Sequence, residues 1–324
     1  MIGLPSRWPQ HSLLLLTFVA FNVAAQAAAR DAKAWLERMN RAVEELSYEG
    51  TFVHVYGGTG ETLQIVHRND DGSIAERILS LDGVGREIIR REDDVQCILP
   101  DSRVVLLQQR KELNPLAAAL PSYTEDLDAS YELKLHATAR IAQRSAQVIG
   151  ITPKDEFRYG YTLWLDEETA MPLKSQLTDE NGEVVEQILF TQLDIVDDIP
   201  AEALEPTTDT EGFTWLRPPP LPADSGVVLW RVENLPGGFR LSAATRGPIA
   251  GSEHPVEHLV YSDGLATVSV FIEDPQTKPE LSEGFSKVGS TNAFSVTVRG
   301  RRVTAVGEVP RHTVRSIATS LQPQ

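Results

Sequence analysis

Three consecutive acids, Asp166, Glu167 and Glu168, follow the aromatic stretch YGYTLWL. Two such carboxylates could serve as general acid and base if their surroundings gave them different pKa values. The preceding residues alternate as in a β-strand, and a second strand pattern begins at Pro172. Acids and proline between two strands are typical of an exposed turn. We therefore interpret the acids as a hairpin turn and not as a catalytic centre.

The other motifs that could bind a metal or phosphate are incomplete. His254 and His258 in HPVEH would suit a metal pair on a helix, but Pro255 and the following HLVY favour a strand. The glycine-rich stretch GGTGET, residues 57–62, lacks the lysine of a phosphate-binding loop and joins two strand patterns. We predict a hairpin loop there, and neither a metal nor a cofactor.

Two histidines and one cysteine lie within strand patterns. His54 and His67 are expected on the polar faces of the first hairpin, with a pH-sensing role as the alternative. Cys97 is the only cysteine, so an internal disulfide is excluded. It lies in the apolar strand VQCILP, which predicts a buried and unreactive thiol.

The N-terminus has the pattern of a secretory signal peptide, residues 1–27. Arg7 precedes an apolar run that is shorter than a membrane span, and small residues follow at the cleavage spacing before Ala28. We expect an exported, soluble protein. The net charge of −16 argues against nucleic acid as a partner, because phosphate binding needs a basic surface.

The pattern of elements predicts an α+β fold with two domains. Residues 31–46 form an amphipathic helix, and the strand patterns that follow predict a large antiparallel sheet over residues 28–197. Residues 198–222 are rich in proline and acids, so we predict an irregular linker. Residues 223–324 contain further strands and a closing helix, which predicts a smaller α+β domain.

The ordered motifs resemble those of the MucB/RseB family of periplasmic regulators of the sigma-E envelope-stress response. They are WLERMNRAVEELSYEGTFVHVYGG, ERILSLDGVGREIIRRED and RYGYTLWLDEETAMPLKSQ in the first part, and LPGGFRL, YSDGLATVSVFIED and VTAVGEVPRHTVRSIATSL in the second. The resemblance implies a first domain similar to the lipoprotein carriers LolA and LolB, a half-open barrel with helices, followed by a smaller domain.

The resemblance also implies a function without catalysis. Members of the family bind the periplasmic part of a membrane-spanning anti-sigma factor, MucA-like or RseA-like, and protect it from regulated proteolysis. Lipid or mislocalised lipoprotein, through its acyl chains, is the implied releasing signal. The alternative is a periplasmic lipid or lipoprotein carrier without a regulatory partner. A homo-oligomer is compatible with the sequence.

Face geometry supplies the candidate sites. Tyr159, Tyr161, Leu163 and Leu165 share one face of a strand, and we expect them to line an apolar cavity for lipid.

The last 38 residues carry a net charge of +5 in a chain that is otherwise acidic. This basic tail either guards a strand edge or docks the partner. We expect Arg299 and Arg301 to point to one face of an extended strand and Arg302 to the other. The candidate docking residues are Arg299, Arg301, Arg302, Arg311 and Arg315.

Overall fold

The structure is a computed structural model, and it describes residues 32–92, 94–109, 116, 120, 121, 127–217, 229–247, 254–274 and 283–324. The predicted signal peptide lies outside the described residues. Within the described part of the chain, no helix is both long and apolar enough to cross a membrane.

The first half of the chain forms one large sheet. Its strands run in the order β13-β6-β5-β4-β3-β2-β1-β12-β11-β10-β9-β7, with β8 paired to β9. All pairs are antiparallel except β13 with β6. The strands are β1 Tyr48–Tyr56, β2 Thr59–Asp70, β3 Ser73–Ser80, β4 Glu87–Arg91, β5 Asp94–Leu99, β6 Val104–Gln109, β7 Tyr131–Leu135, β8 Ala139–Ile141, β9 Arg144–Pro153, β10 Gly160–Asp166, β11 Pro172–Thr178, β12 Val184–Ile195 and β13 Thr214–Leu216.

Helix α1 (residues 32–45) and the short helix α2 (Leu127–Ser130) accompany this sheet. Helix α1 places Leu36, Met39 and Val43 on one face at spacings of three and four, and this face is buried in the main apolar core. The core continues across the sheet to Phe52 and Phe190, whose rings lie 5.3 Å apart. We refer to β1–β13 with their helices as the large domain.

The small domain consists of β14–β21 and helix α3. A six-stranded antiparallel sheet has the order β15-β16-β17-β20-β19-β18, and β14 pairs with β21. Helix α3 buries Val314 and Ile317 against this sheet in a second apolar core. The elements are β14 Trp230–Val232, β15 Arg240–Gly247, β16 Val256–Ser262, β17 Thr267–Glu273, β18 Gly284–Val288, β19 Thr291–Val298, β20 Arg301–Gly307, α3 Arg311–Thr319 and β21 Leu321–Pro323.

The predicted α+β fold is confirmed, with a large antiparallel half-barrel and helices first and a smaller α+β domain after it. The turn at the three acids is also confirmed, because β10 ends at Asp166 and β11 starts at Pro172. Residues 57–58 form the predicted hairpin loop between β1 and β2. His258 lies in β16, a strand, and stacks on Phe271 with ring centroids 4.4 Å apart.

The prediction of an irregular linker over residues 198–222 is wrong for its described part. Residues 201–204 form a 3-10 helix, Ala201–Leu204, and β13 pairs with β6. Leu204 is buried beside Val66 on the face of the sheet opposite α1. The Glu87 carboxylate accepts backbone hydrogen bonds from Thr207 and Thr208. These contacts hold the segment to the sheet despite its prolines. The domain boundaries stay a prediction.

Two expectations for single residues are wrong. His67 does not lie on a polar face, because it is buried, stacks on Tyr48 and contacts the Glu76 carboxylate at 2.9 Å. Cys97 is a free thiol, as expected, but it is only half-buried. Burial nevertheless raises the pKa of the Cys97 thiol, which keeps its reactive thiolate scarce near neutral pH.

We predict that Glu87→Ala strongly destabilises the large domain. The substitution leaves two backbone N–H groups without their acceptor and removes the carboxylate that lies 3.6 Å from the buried Arg77 guanidinium. Loss of one partner from such a buried group costs about 3–5 kcal/mol. The matched control is Glu205→Ala in the same segment, because its ion pair with Arg91 is exposed and is worth less than about 1 kcal/mol. The free energy of unfolding in urea measures both, and equal losses would contradict the anchoring role of Glu87.

Candidate functional site

The two domains meet around a buried ion pair. Arg158 lies in the loop between β9 and β10, and its side chain is 0% exposed. Its Nη1 donates to Asp263 Oδ2 of the small domain at 2.5 Å, and its Nη2 donates to Asp155 Oδ2 at 2.9 Å. The Asp263 carboxylate is also 0% exposed. A charge that is shielded from water needs an oppositely charged partner. This ion pair therefore connects the two domains at one point.

Aromatic rings and backbone groups surround this ion pair. The Arg158 guanidinium lies 5.5 Å from the ring centroid of Tyr131 and 5.0 Å from that of Phe239. The Tyr131 hydroxyl donates to Asp263 Oδ2 at 3.0 Å. Burial and the negative Asp263 raise the pKa of Tyr131, so its hydroxyl remains a donor. Asp263 Oδ1 accepts the backbone N–H of Ala266, which fixes the carboxylate within its own turn.

A second contact joins the tips of two hairpins. The Tyr56 hydroxyl at the end of β1 donates to the Val288 carbonyl at the end of β18, at 2.7 Å. Gly289 has φ +60 and lies directly against the Tyr56 ring, so a Cβ there would be 2.0 Å from Tyr56 Cζ. A Cβ on Gly57 in the facing hairpin would lie 2.7 Å from Gly289 Cα. Only glycine allows this approach.

Further hydrogen bonds line the boundary. Asn292 Nδ2 donates to the Tyr159 hydroxyl at 3.0 Å, and Thr313 Oγ1 donates to the Phe157 carbonyl at 2.9 Å. Burial raises the pKa of Tyr159 to about 12. No strand pair joins the two sheets within the described ranges, and Leu265 is the small-domain residue that packs on the large core. The described interface is therefore mainly polar.

Two carboxylates approach each other across this boundary. The Ser290 hydroxyl lies 3.3 Å from Glu186 Oε2 of β12 and 2.5 Å from Glu308 Oε1 of the small domain. His54 Nε2 is 2.7 Å from the other oxygen of Glu186. Burial and the nearby Glu186 raise the pKa of Glu308 to about 7. We call Glu186, Ser290 and Glu308 the acid contact.

A cavity of about 280 Å³ lies between the domains. The large domain contributes Tyr131, Tyr159, Tyr161 and Leu177 to its wall. The small-domain wall includes Leu265, Thr267, Ser269, Thr291, Val306 and Glu308. The wall therefore combines aromatic and aliphatic side chains with several hydroxyl groups and one carboxylate, so it offers a ligand or peptide both apolar and polar contacts.

The predicted lipid face is divided between two places. Tyr159 and Tyr161 line the interdomain cavity. Leu163 and Leu165 are fully buried in the core of the large domain. Tyr161, Leu163 and Leu165 alternate along β10, whereas Tyr159 precedes its first residue, Gly160, and the structure does not bring the four residues into one cavity. Their role in lipid binding stays a prediction.

Asp166, the first of the three acids, is held in place by two neighbouring side chains. Its carboxylate is buried, pairs with the Arg144 guanidinium at 2.9 Å and accepts the Thr169 hydroxyl at 2.7 Å. Burial alone would raise the pKa of Asp166, but these hydrogen bonds outweigh burial and lower it. The carboxylate therefore stays ionised and stabilises the turn.

The five tail arginines do not form one cluster. Arg299 has φ 52 and lies in the β19–β20 turn, so the prediction that it extends one strand face with Arg301 is wrong. The adjoining Gly300 completes the turn, and the Arg299 guanidinium donates to Gln322. Arg301 pairs with Asp274 at 3.2 Å, and Arg302 is half-buried.

The remaining two arginines lie on helix α3. The Arg311 guanidinium covers the Phe285 ring, 4.3 Å from its centroid, at the helix start near the domain boundary. Arg315 is exposed one turn later. Arg299 lies in the β19–β20 turn and Arg301 and Arg302 lie in β20, so the five residues are distributed over a turn, a strand and a helix. Their docking role stays a prediction.

Models of known protein families match both domains of this chain. The model of the MucB/RseB N-terminal domain matches residues 31–208, and that of the MucB/RseB C-terminal domain matches residues 224–322. The chain belongs to the MucB/RseB family. It is 37% identical over 321 residues to the sigma factor AlgU regulatory protein MucB of Pseudomonas aeruginosa, covering 97% of each chain. It is 28% identical to the sigma-E factor regulatory protein RseB of Haemophilus influenzae, covering 99% of each.

Solved MucB structures extend the match to three dimensions. The complex of P. aeruginosa MucA and MucB matches with a TM-score of 0.71 at 33% identity, covering 91% of this chain and 99% of that chain. A second structure, MucB in complex with MucA(peri), matches with a TM-score of 0.72 at 32% identity, covering 90% of this chain and 99% of that chain. A third structure, of MucB, matches with a TM-score of 0.62 at 32% identity, covering 91% of this chain and 98% of that chain. By TM-score, this chain is therefore more similar to MucB in the two complexes than to the third MucB structure.

Sequence reasoning missed the residues that build the interface. Arg158 and Asp263 are separated by 105 positions, and Glu186 and Ser290 by 104. No spacing rule for helices or strands connects such positions. One local signal was present for Arg158, because an arginine follows acids in the turn KDEFRYG between two strand patterns.

We predict that Gly289→Ala opens the domain interface. The added methyl group must displace Tyr56, which also breaks the bond to Val288. The matched control is Gly300→Ala, whose φ of +74 gives similar backbone strain of about 1–2 kcal/mol but whose Cβ meets nothing within 4 Å. Small-angle X-ray scattering should show a larger radius of gyration for Gly289→Ala alone. An unchanged radius in both variants would contradict the close packing at Gly289.

Proposed function

We propose that this protein is a negative regulator of sigma-E-type signalling that binds the periplasmic part of a MucA-like or RseA-like anti-sigma factor. The bound anti-sigma factor is protected from regulated proteolysis, so the sigma factor stays inactive. The chain is exported, loses its signal peptide after Ala27 and acts in the periplasm. It works by binding and not by catalysis.

The similarity to MucB in its MucA complexes carries this proposal. Both domains are matched, and the relatives over nearly the full length are named as sigma-factor regulatory proteins. A carrier without a regulatory partner would not need the small domain. The TM-scores of 0.71 and 0.72 with the two complexes extend the agreement to the three-dimensional structure.

The surface of the small domain supports partner docking. The basic residues of the tail belong to a chain with a net charge of −16, so the exposed ones among them are positive positions that can attract acidic side chains of a partner. Guanidinium groups bind carboxylates in paired geometry. Arg299 and Arg315 are both exposed, whereas Arg301 is already paired with Asp274. The exposed pair is the better candidate for contact with the partner.

The interdomain cavity supports release by a lipid. Its wall includes Tyr161, Leu177 and Leu265 from both domains, so an inserted acyl chain would separate groups that hold the domains together. Each CH₂ group that leaves water contributes about 0.8 kcal/mol. A ligand that prefers the separated form shifts the equilibrium towards it and can thereby change partner affinity.

The direct test is to titrate the mature protein with the periplasmic segment of the MucA-type anti-sigma factor from the same organism. We expect a one-site isotherm, and we expect the added protein to slow proteolysis of the segment. Absence of binding would refute the proposal.

Charge reversal tests the docking surface. We predict that Arg299→Glu with Arg315→Glu lowers the affinity for this segment by about tenfold or more, because two attractions become repulsions. The control, Arg240→Glu with Arg246→Glu on β15, makes the same change in net charge at other exposed positions. If both double variants bind alike in calorimetry at low and high salt, the tail arginines only guard a strand edge.

Lipid binding is tested separately. We predict that Tyr161→Glu weakens the binding of a fluorescent fatty acid, because a carboxylate then enters the cavity wall. Trp215→Glu, on the exposed strand β13, should leave probe affinity unchanged. Circular dichroism checks that both variants are folded. Unchanged probe affinity in folded Tyr161→Glu would remove this cavity as the lipid site.

A further inference from the structure

The acid contact has an unusual composition for a domain interface. Glu186 belongs to the large domain and Glu308 to the small domain, and one hydroxyl, that of Ser290, lies within hydrogen-bond distance of both. A single hydroxyl hydrogen cannot neutralise two carboxylates. When both acids are ionised, like charges face each other in a region from which water is largely excluded, and this repulsion opposes docking.

Titratable groups from several elements of the large domain surround Glu308. Glu186 faces it from β12 and His54 from β1, while Tyr159 and Tyr161 lie along the large-domain wall. His54 contacts Glu186 directly at 2.7 Å. These neighbours all belong to the large domain. When the domains separate, Glu308 therefore leaves them and becomes hydrated.

We propose that the acid contact is a pH-sensitive latch that holds the two domains together more tightly as the pH falls. One proton shared between Glu186 and Glu308 removes the repulsion and adds a hydrogen-bond donor. The latch acts between the chain's own domains and does not depend on the identity of a partner. The polar interface elsewhere makes relative domain motion the expected behaviour.

The direction follows from proton binding. Docking raises the pKa of Glu308 from 4.5 to about 7, first through burial and then through Glu186. The docked form therefore binds more protons than the open form between these two values. Docking is favoured as the pH falls through this window, and the stabilisation is lost as the pH rises above it.

The test measures domain separation in the full chain by fluorescence energy transfer. Donor and acceptor are attached at Val84→Cys and Ala243→Cys, both exposed, in a Cys97→Ser background. We expect the ratio of open to docked molecules to fall by about tenfold or more from pH 8 to pH 5.5, since each unit of pKa difference permits a tenfold change. The measurement is repeated with Gly289→Ala added to the labelled chain. It then records how domain separation changes with pH when the interface is already weakened.

Two neutral variants assign the response to its residue. Glu308→Gln keeps the shape and an acceptor oxygen for Ser290 but cannot ionise, so its domain separation should be the same at both pH values. Glu257→Gln is the matched control, because burial also raises the pKa of Glu257 although it lies on β16 and not in the acid contact. It should respond to pH like the parent chain. A pH response that persists in Glu308→Gln, or that is absent from the parent chain in both backgrounds, overturns the proposal.

Discussion

The buried pair of Arg158 and Asp263 determines how the two domains are arranged. Each charge has lost its water, and each is compensated by groups from both sides of the boundary. Removing one partner from such a pair typically costs about 3–5 kcal/mol, although the net value of the complete pair is much smaller. The pair therefore contributes mainly specificity. It allows the domains to meet in one orientation and penalises neighbouring ones.

The other interface features follow from that orientation. With Asp263 held beside Tyr131, the small sheet lies across the ends of β1, β10 and β12, so Gly289 contacts Tyr56 and Glu308 approaches Glu186. The contacts enclose a cavity without filling it. A regulator that has to bind and later release a partner benefits from such an interface, because polar contacts can be exchanged with little exposure of apolar surface.

Local pattern was sufficient for part of the fold. Helix α1, the hairpin at residues 57–58 and helix α3 follow from periodicity and turn residues, and the structure contains all three. The resemblance to a family added the half-open barrel of the first domain and the type of partner. Neither source could place Arg158 against Asp263, because two positions 105 apart meet only after both domains have folded.

The errors also have physical causes. Alternation along an extended strand places Arg299 and Arg301 on one face, but Arg299 has a positive φ before Gly300 and forms a tight turn there. The prolines and acids of residues 198–222 predict an irregular linker, but residues 201–204 are helical and residues 214–216 form a strand. The segment is ordered because Glu87, which is buried and distant in sequence, accepts the backbone N–H groups of Thr207 and Thr208. Composition cannot reveal an acceptor on another strand.

The order of strands in the large sheet has a consequence for how the chain reaches its native state. Strands β1 to β6 and strands β7 to β12 are two successive meanders, and they are joined only where β1 pairs with β12, for example at Tyr48 and Ile195. Such a distant pairing is slow to form. Until it forms, each meander ends in a bare edge that can recruit another chain. Synthesis of β12 therefore marks the earliest moment at which a nascent molecule can protect itself from aggregation at that edge.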